Sequence, residues 1–384
     1  MISFRCSPKA DLKKLVQGNN EFAFDLCRRL AQKEGNIIFS PYSISNALAM
    51  TYSGARGETA EQMAKVLHFT LGQERLHPAF GELITDLQKK EDKDRPCHLH
   101  VANSLWGQRG SPFLDAFVQL TQKNYGAGLK EVDFKRGSEE ACKSINAWVE
   151  GRTNQKTKEW LVKGDVDKNT RFVLTNAIYF KAGWKYLFPD DTKEAPFAMT
   201  VKEEASVQMM QSHRRLFKYH AGSDFEMVEL PYWGDLLSMV LLLPRKRGAL
   251  AEAEKKLTAV ALQDMLMRLE PRQGEVMMPR FTMTYRVDLV DELKRMGLVL
   301  PFGDKADFSG MVSEQVFISR VIHKAYMDVN EGGTEAAAAT ATVGTALTAG
   351  GDFFFLTNCP FLFLIRDNQT GSVLFLGRVE DPRT

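Results

Sequence analysis

The chain has 384 residues, 44% of them hydrophobic and 26% charged, with a formal net charge of +2 at pH 7. That length and apolar share allow a large buried core, and no Pro/Gly/Ser linker or charge block divides the sequence, so it reads as one domain over 1–384. The near-neutral balance argues against a nucleic-acid binder, and no apolar run approaches a membrane span.

At the amino end, MISFRCSPKADLKK lacks a basic start followed by an apolar core of about 7–15 residues, so no secretory signal is visible. The expectation is a cytoplasmic protein or leaderless export, with the extracellular space as the alternative if a leader has been removed. Apolar periodicity then predicts helices over 12–32, 43–52, 59–67 and 78–89. Strands begin to interleave after that, with 98–105 as a strand, 139–151 as a helix carrying Trp148, and 171–180 as a long buried strand. Residues 236–243 form a continuous apolar strand ended by Pro244, and 287–296 reads as an amphipathic helix ended by Gly297. Residues 316–329 alternate with period two, and FFFL and PFLFLI near the end have the look of buried strands. Segregated helices and sheets of this kind make an α+β chain.

Few residues invite catalytic or metal chemistry. The five cysteines, Cys6, Cys27, Cys97, Cys142 and Cys359, are widely spaced, odd in number and without a CxxC pair, which suggests neither a disulfide framework nor a zinc site. His98 and His100 share a strand face but have no third ligand at a recognisable spacing, so no metal is expected. No nucleophile elbow or phosphate loop appears, and no cofactor is expected. The basic clusters Arg214/Arg215 and Arg245/Lys246/Arg247 read as solvated loops, and the helix near Lys89 and Lys90 is too mixed in charge for glycosaminoglycan binding. Asn368-Gln369-Thr370 fits a glycosylation sequon but reads more simply as a polar hairpin turn.

The unusual segment is 331–351, EGGTEAAAATATVGTALTAGG, a long run of small residues between two strand-like stretches. A connection this long is normally functional or disordered. At the strand period Thr334, Ala336, Ala338, Thr340 and Thr342 form one face without charge or bulk; Glu335, Ala337, Ala339, Ala341 and Val343 form the other. Such a strand can enter the middle of a sheet without overpacking the layer beneath, and Gly332 and Gly333 supply a hinge at its start. Composition alone fits an Ala/Thr/Gly linker or an Ala-rich helix equally well.

VIHKAYMDVNEGGTEAAAAT, followed after a variable stretch by PFLFLIRDNQTGSVLFLGRVEDP, closely resembles the serpins. So do FSPYSISNALAM, GARGETAEQM, LTNAIYFKAGWKYLF, ELPYWGDLLSMVLLLP and PFGDKADFSGM, in serpin order, so that the likeness covers the chain from about Leu12 to Pro382. The resemblance implies three β-sheets with about nine helices and an exposed reactive-centre loop at about 331–352. It implies a serine-type endopeptidase inhibitor that acts as a suicide substrate and not as an enzyme. The target protease attacks the loop and forms an acyl-enzyme, and the cut loop then inserts into the central sheet and traps the enzyme covalently.

Loop length in the family, counted from Glu331, puts the scissile bond at Leu347/Thr348, within about a residue. Leucine before the bond suits a chymotrypsin-like or elastase-like serine protease, with a subtilisin-like one also possible, and the absence of Lys and Arg from 332–352 argues against trypsin-like targets. Glu331, Gly332, Gly333, Thr334, Glu335, Ala336, Ala337, Ala338 and Ala339 match an inhibitory hinge, although Gly332 departs from the charged residue often found there. By the same resemblance Ser40, Ser43, Asn176 and His323 form a hydrogen-bonded cluster beneath the central strands. Trp184 marks the point of first insertion, and Arg280 and Glu331 form an ion pair at the hinge. The implied state is a monomer, able to form loop–sheet polymers. The alternatives that share this framework are a non-inhibitory member used for binding, storage or chaperoning, and a cross-class inhibitor of a cysteine protease.

Overall fold

A computed structural model describes residues 8–89, 97–126, 129–156, 159–200, 202–334 and 352–383. The first part is helical, with α1 (Pro8–Leu30), β1 (Ile37–Phe39), α2 (Pro41–Tyr52), α3 (Gly57–Val66) and α4 (Gln73–Gln88). The start of α2 is fixed locally, because Ser40 accepts the Ser43 amide at 3.1 Å as N-cap and Pro41 fills the first turn. Every residue of α2 is buried, which places it as an inner helix beneath the sheets.

Next come β2 (Cys97–Gln108), α5 (Asp115–Tyr125), β3 (Leu129–Val132), α6 (Phe134–Arg152) and β4 (Phe172–Gly183). The middle of the chain is strand-rich: β5 (Lys193–Ala198), β6 (Glu204–Gln211), β7 (Arg215–Ala221), β8 (Phe225–Pro231) and β9 (Leu237–Pro244). Two short helices, α7 (Leu250–Lys256) and α8 (Ala259–Met267), precede β10 (Glu270–Pro279), β11 (Phe281–Asp288) and α9 (Val290–Arg295). The end of the chain supplies β12 (Arg320–Asn330), β13 (Gly333–Thr334), β14 (Phe353–Leu356), β15 (Phe361–Asp367) and β16 (Val373–Val379).

The strands make a six-stranded sheet in the order β11-β12-β13-β4-β2-β3 and a ten-stranded one along β1-β16-β15-β9-β8-β7-β10-β6-β5, with β14 beside β10. Strand β10 pairs with β7 through Glu270–Gly274 and with β6 through Met277–Pro279. It therefore joins two blocks within the larger sheet, and these blocks with the six-stranded sheet correspond to the three β-sheets implied by the family resemblance. Strand β4 is buried along almost its whole length because both its faces are covered. One is packed on the main core; the other meets a second cluster that includes Phe134, Ile145 and Val149 of α6.

Two predicted elements change. The helix predicted over 287–296 starts only at Val290, because Val287 pairs with His323 in the β11–β12 ladder and Asp288 with Ile322. The strand predicted over 316–329 starts at Arg320, while Val316 and Ile318 are buried outside any strand.

Candidate functional site: the hinge and the strands beneath it

Strands β12 and β4 run parallel and pair directly from Arg320–Val173 to Tyr326–Tyr179. Beyond that ladder they part, and β13 lies between them, antiparallel to both: Thr334 faces Val329 of β12 and Ala182 of β4. The backbone here is specialised. Gly333 has φ +145°, and a Cβ on it would lie 2.1 Å from the Ala182 carbonyl oxygen, so only glycine fits.

The approach to β13 is held by a ring of contacts. Trp184 donates its amide to the Gly332 carbonyl at 3.0 Å and its indole N–H to the Asn330 carbonyl at 2.9 Å. The Phe188 amide donates to the Glu331 carbonyl at 3.1 Å, and the Thr192 hydroxyl donates to the Glu331 carboxylate. Arg280 Nε stands 3.4 Å from that carboxylate, so the two residues paired in the sequence reading are indeed adjacent. Thr334 is fully buried, and its hydroxyl shares a 2.7 Å hydrogen bond with that of Tyr232, whose ring stacks on Trp184 at 4.6 Å and 7°. Glu335, Ala336, Ala337, Ala338, Ala339, Leu347 and Thr348 lie outside the described residues.

At the middle of the β12–β4 ladder, where His323 pairs with Asn176, the structure brings Ser40, Ser43, Asn176 and His323 together and adds Asn103 of β2. Asn176 Nδ2 donates to Ser43 Oγ and to Asn103 Oδ1, both at 2.8 Å. Ser43 Oγ donates to Asn103 Oδ1 at 3.0 Å, and Asn103 Nδ2 donates to the Ser43 carbonyl at 3.1 Å. His323 Nε2 accepts the Ser40 amide at 3.1 Å, which puts the ring proton on Nδ1, facing Asn176 Oδ1. Burial lowers the pKa of His323 to about 3, so the ring is neutral, and the cluster is a closed set of neutral dipoles. Sequence reasoning missed Asn103 and Tyr232. A polar side chain at a buried position between Ala102 and Leu105 was the signal for the first; Tyr232 sits in a PYWGD turn and gives no local signal.

The carboxyl-terminal root of the loop is anchored differently. Strand β14 pairs in parallel with β10, and Phe353 stacks on Tyr219 at 4.2 Å and 8° over Gly274, where any Cβ would strike the Phe353 ring. Arg214 pairs with Asp352, Arg245 with Glu226, and Arg247 with Glu204 at 2.7 Å, so these basic residues are engaged in local ion pairs. The His98 and His100 rings stack at 5.8 Å, and among the described residues no group of three or more His, Cys, Asp or Glu is placed to hold a metal. The Asn368 amide donates to the Asp235 carbonyl and accepts from the Ser238 hydroxyl, both at 2.9 Å, in the turn between β15 and β16. Among the described residues no helix is long and apolar enough to cross a membrane.

Together these features define a class: α+β proteins whose main sheet already holds the first residues of a long loop in a gap between two central strands. The profile of the serpin (serine protease inhibitor) family matches residues 17–382, and the chain belongs to that family. It is 41% identical over 384 residues to the human (Homo sapiens) leukocyte elastase inhibitor, with 97% of this chain and 100% of the relative covered. Leukocyte elastase inhibitor A of Rattus norvegicus is 42% identical over 383 residues, with the same coverage. Among solved structures, Serpin48 of the insect Tenebrio molitor, described as a highly specific serpin, superposes with a TM-score of 0.86 at 30% identity, over 96% of this chain and 98% of that one.

Proposed function

We propose that the chain inhibits an elastase-like or chymotrypsin-like serine protease as a suicide substrate, with Leu347–Thr348 as the bond that is cut. The protease serine adds to the Leu347 carbonyl, the Thr348 amine leaves, and Leu347 remains as an acyl ester on the enzyme. The loop up to Leu347 then extends β13 down the gap and separates β12 from β4. One parallel ladder is exchanged for two antiparallel ones, each new backbone hydrogen bond adding about 1 kcal/mol net, so the uncut state is a kinetic trap. The acylated protease is carried with the loop, and distortion of its catalytic groups stops hydrolysis of the ester.

The observation that carries this reading is Thr334, small, uncharged and already buried in line with the gap. The relatives named for leukocyte elastase support an enzyme with a small or medium apolar specificity pocket, which Leu347 suits. A non-inhibitory role is disfavoured because Thr334, Ala336 and Ala338, which share one face at the strand period, are small and uncharged. The active form is read as a monomer, and a cysteine protease forming a thioester would meet the same trap.

The test is a denaturing gel of the protein after mixing with pancreatic elastase, chymotrypsin, subtilisin and trypsin, with mass spectrometry of the carboxyl fragment. The expected result is a boiling-resistant adduct with elastase or chymotrypsin, none with trypsin, and a fragment beginning at Thr348. Cleavage in the loop without an adduct would sink the proposal.

A further inference from the structure

Tyr232 lies just beyond the end of β8, yet it is completely buried. Its backbone bridges that of Trp184, and its amide donates to the Leu237 carbonyl at 3.1 Å. Trp184 covers one face of its ring, and Phe180 meets it edge-on at 5.2 Å and 75°. These contacts fix the ring, and phenylalanine would satisfy all of them. What the tyrosine adds is a hydroxyl placed 2.7 Å from Thr334 Oγ1, on the first loop residue that the sheet has already accepted.

A strand offers a different side chain to any fixed point when it slips by one residue. Slipping one way would bring Gly333 opposite the Tyr232 hydroxyl and break its hydrogen bond to Thr334; the other way would bring the charged Glu335 into a buried seat. We infer that Tyr232 is a positioning residue for loop insertion: its hydroxyl holds Thr334 and so fixes the register in which the cut loop enters between β12 and β4. The inference rests on the inhibitory reading above. Trapping is a race between insertion and hydrolysis of the acyl-enzyme, and an unseated hinge starts that race late.

The experiment mixes pancreatic elastase and chymotrypsin with the unaltered protein and with Tyr232→Phe, Thr334→Val, Thr334→Ser and the Tyr232→Phe/Thr334→Val double variant. Two quantities are read: the association rate constant, and the ratio of inhibitor cleaved and released to inhibitor trapped. Tyr232→Phe and Thr334→Val are expected to raise that ratio by about three- to tenfold, the scale of one buried hydrogen bond in a barrier, with the association rate unchanged. Thr334→Ser keeps the hydroxyl and is expected to match the unaltered protein. The double variant removes both members of one hydrogen bond and is expected to be no worse than either single one. Unchanged partitioning in Tyr232→Phe, or effects that multiply in the double variant, overturns the inference while adducts formed by the unaltered protein leave the inhibitory reading standing. Absence of adducts from the unaltered protein itself removes both.

Discussion

The two ends of the β12–β4 boundary are built on opposite principles. At the upper end β13 separates the strands, glycine is required, and the contacts are made by aromatic rings and single hydroxyls. At the lower end the strands pair directly in parallel, and five polar residues close a hydrogen-bond network beneath them. On the proposed mechanism the upper end admits a strand and the lower end resists one until the loop is cut. Parallel pairing is slightly weaker per residue than antiparallel pairing, so on that reading much of the resistance falls to the polar cluster, whose members exchange partners when the strands part.

The most severe way to break the upper end is Thr334→Arg. A guanidinium is costly in that fully buried seat, insertion is expected to stall at the hinge, and the protein is expected to become a plain substrate, with adduct lost on a denaturing gel. Retained trapping by this variant would falsify the insertion account.

Acid probes the lower end next through His323, together with His77, a buried residue of α4 outside the cluster. Burial lowers His323 to about 3 and His77 to about 4, from an ordinary value of 6.5. Below pH 6.5 the unfolded chain takes up protons that these two folded rings refuse. Their contribution to stability is therefore complete above pH 6.5 and is lost as pH falls towards 4 and 3, at about 1.4 kcal/mol per pH unit for each group. Urea unfolding at pH 7.5, 5.5 and 4.5 should show this slope, and His323→Gln should reduce it.

Gly333→Ala sharpens the upper end without adding charge. The methyl meets the Ala182 carbonyl, so β13 is expected to leave the sheet at a cost of about 1–3 kcal/mol, measured as lower thermal stability and faster proteolysis at the hinge. Asn103→Ala does the same for the lower end. It removes the Asn103 Oδ1 acceptor from the Asn176 side-chain amide and the Ser43 hydroxyl, leaving only their bond to each other, and a loss of about 1–3 kcal/mol with faster polymer formation on mild heating is expected. Arg280→Ala should have the smallest effect. Arg280 is half exposed, and its pair with Glu331 is worth about 0–1 kcal/mol by equilibrium unfolding.

The same contrast explains what the sequence could reveal. Strand β4 was legible because both its faces are covered and its apolar run is unbroken, whereas the small-residue tract fits a linker or an Ala-rich helix equally well and reads as a hinge only through resemblance. Ser40, Ser43, Asn176 and His323 were visible only through resemblance, since each partner lies far away along the chain. Asn103 was lost among the apolar residues of β2, and Tyr232 looked like a turn residue because its burial depends on Trp184 and Thr334, which are distant in sequence. Val287, Val290 and Leu293 have helical spacing, but pairing with β12 claims the first of them. Strands β5 to β8 were not foreseen: the exposed alternate positions of β6 dilute its apolar signal, and their order depends on β10 changing partner partway along.

The position of the loop in the chain has a further consequence. Strands β15 and β16, which follow it, lie inside the ten-stranded sheet, flanked by β9 and β1, with side chains such as Phe363, Leu364 and Leu376 fully buried. Proteolysis at the loop would therefore yield two polypeptides that still travel as one particle. Gel filtration would record no change of size, and only a denaturant that dismantles the core would separate the pieces.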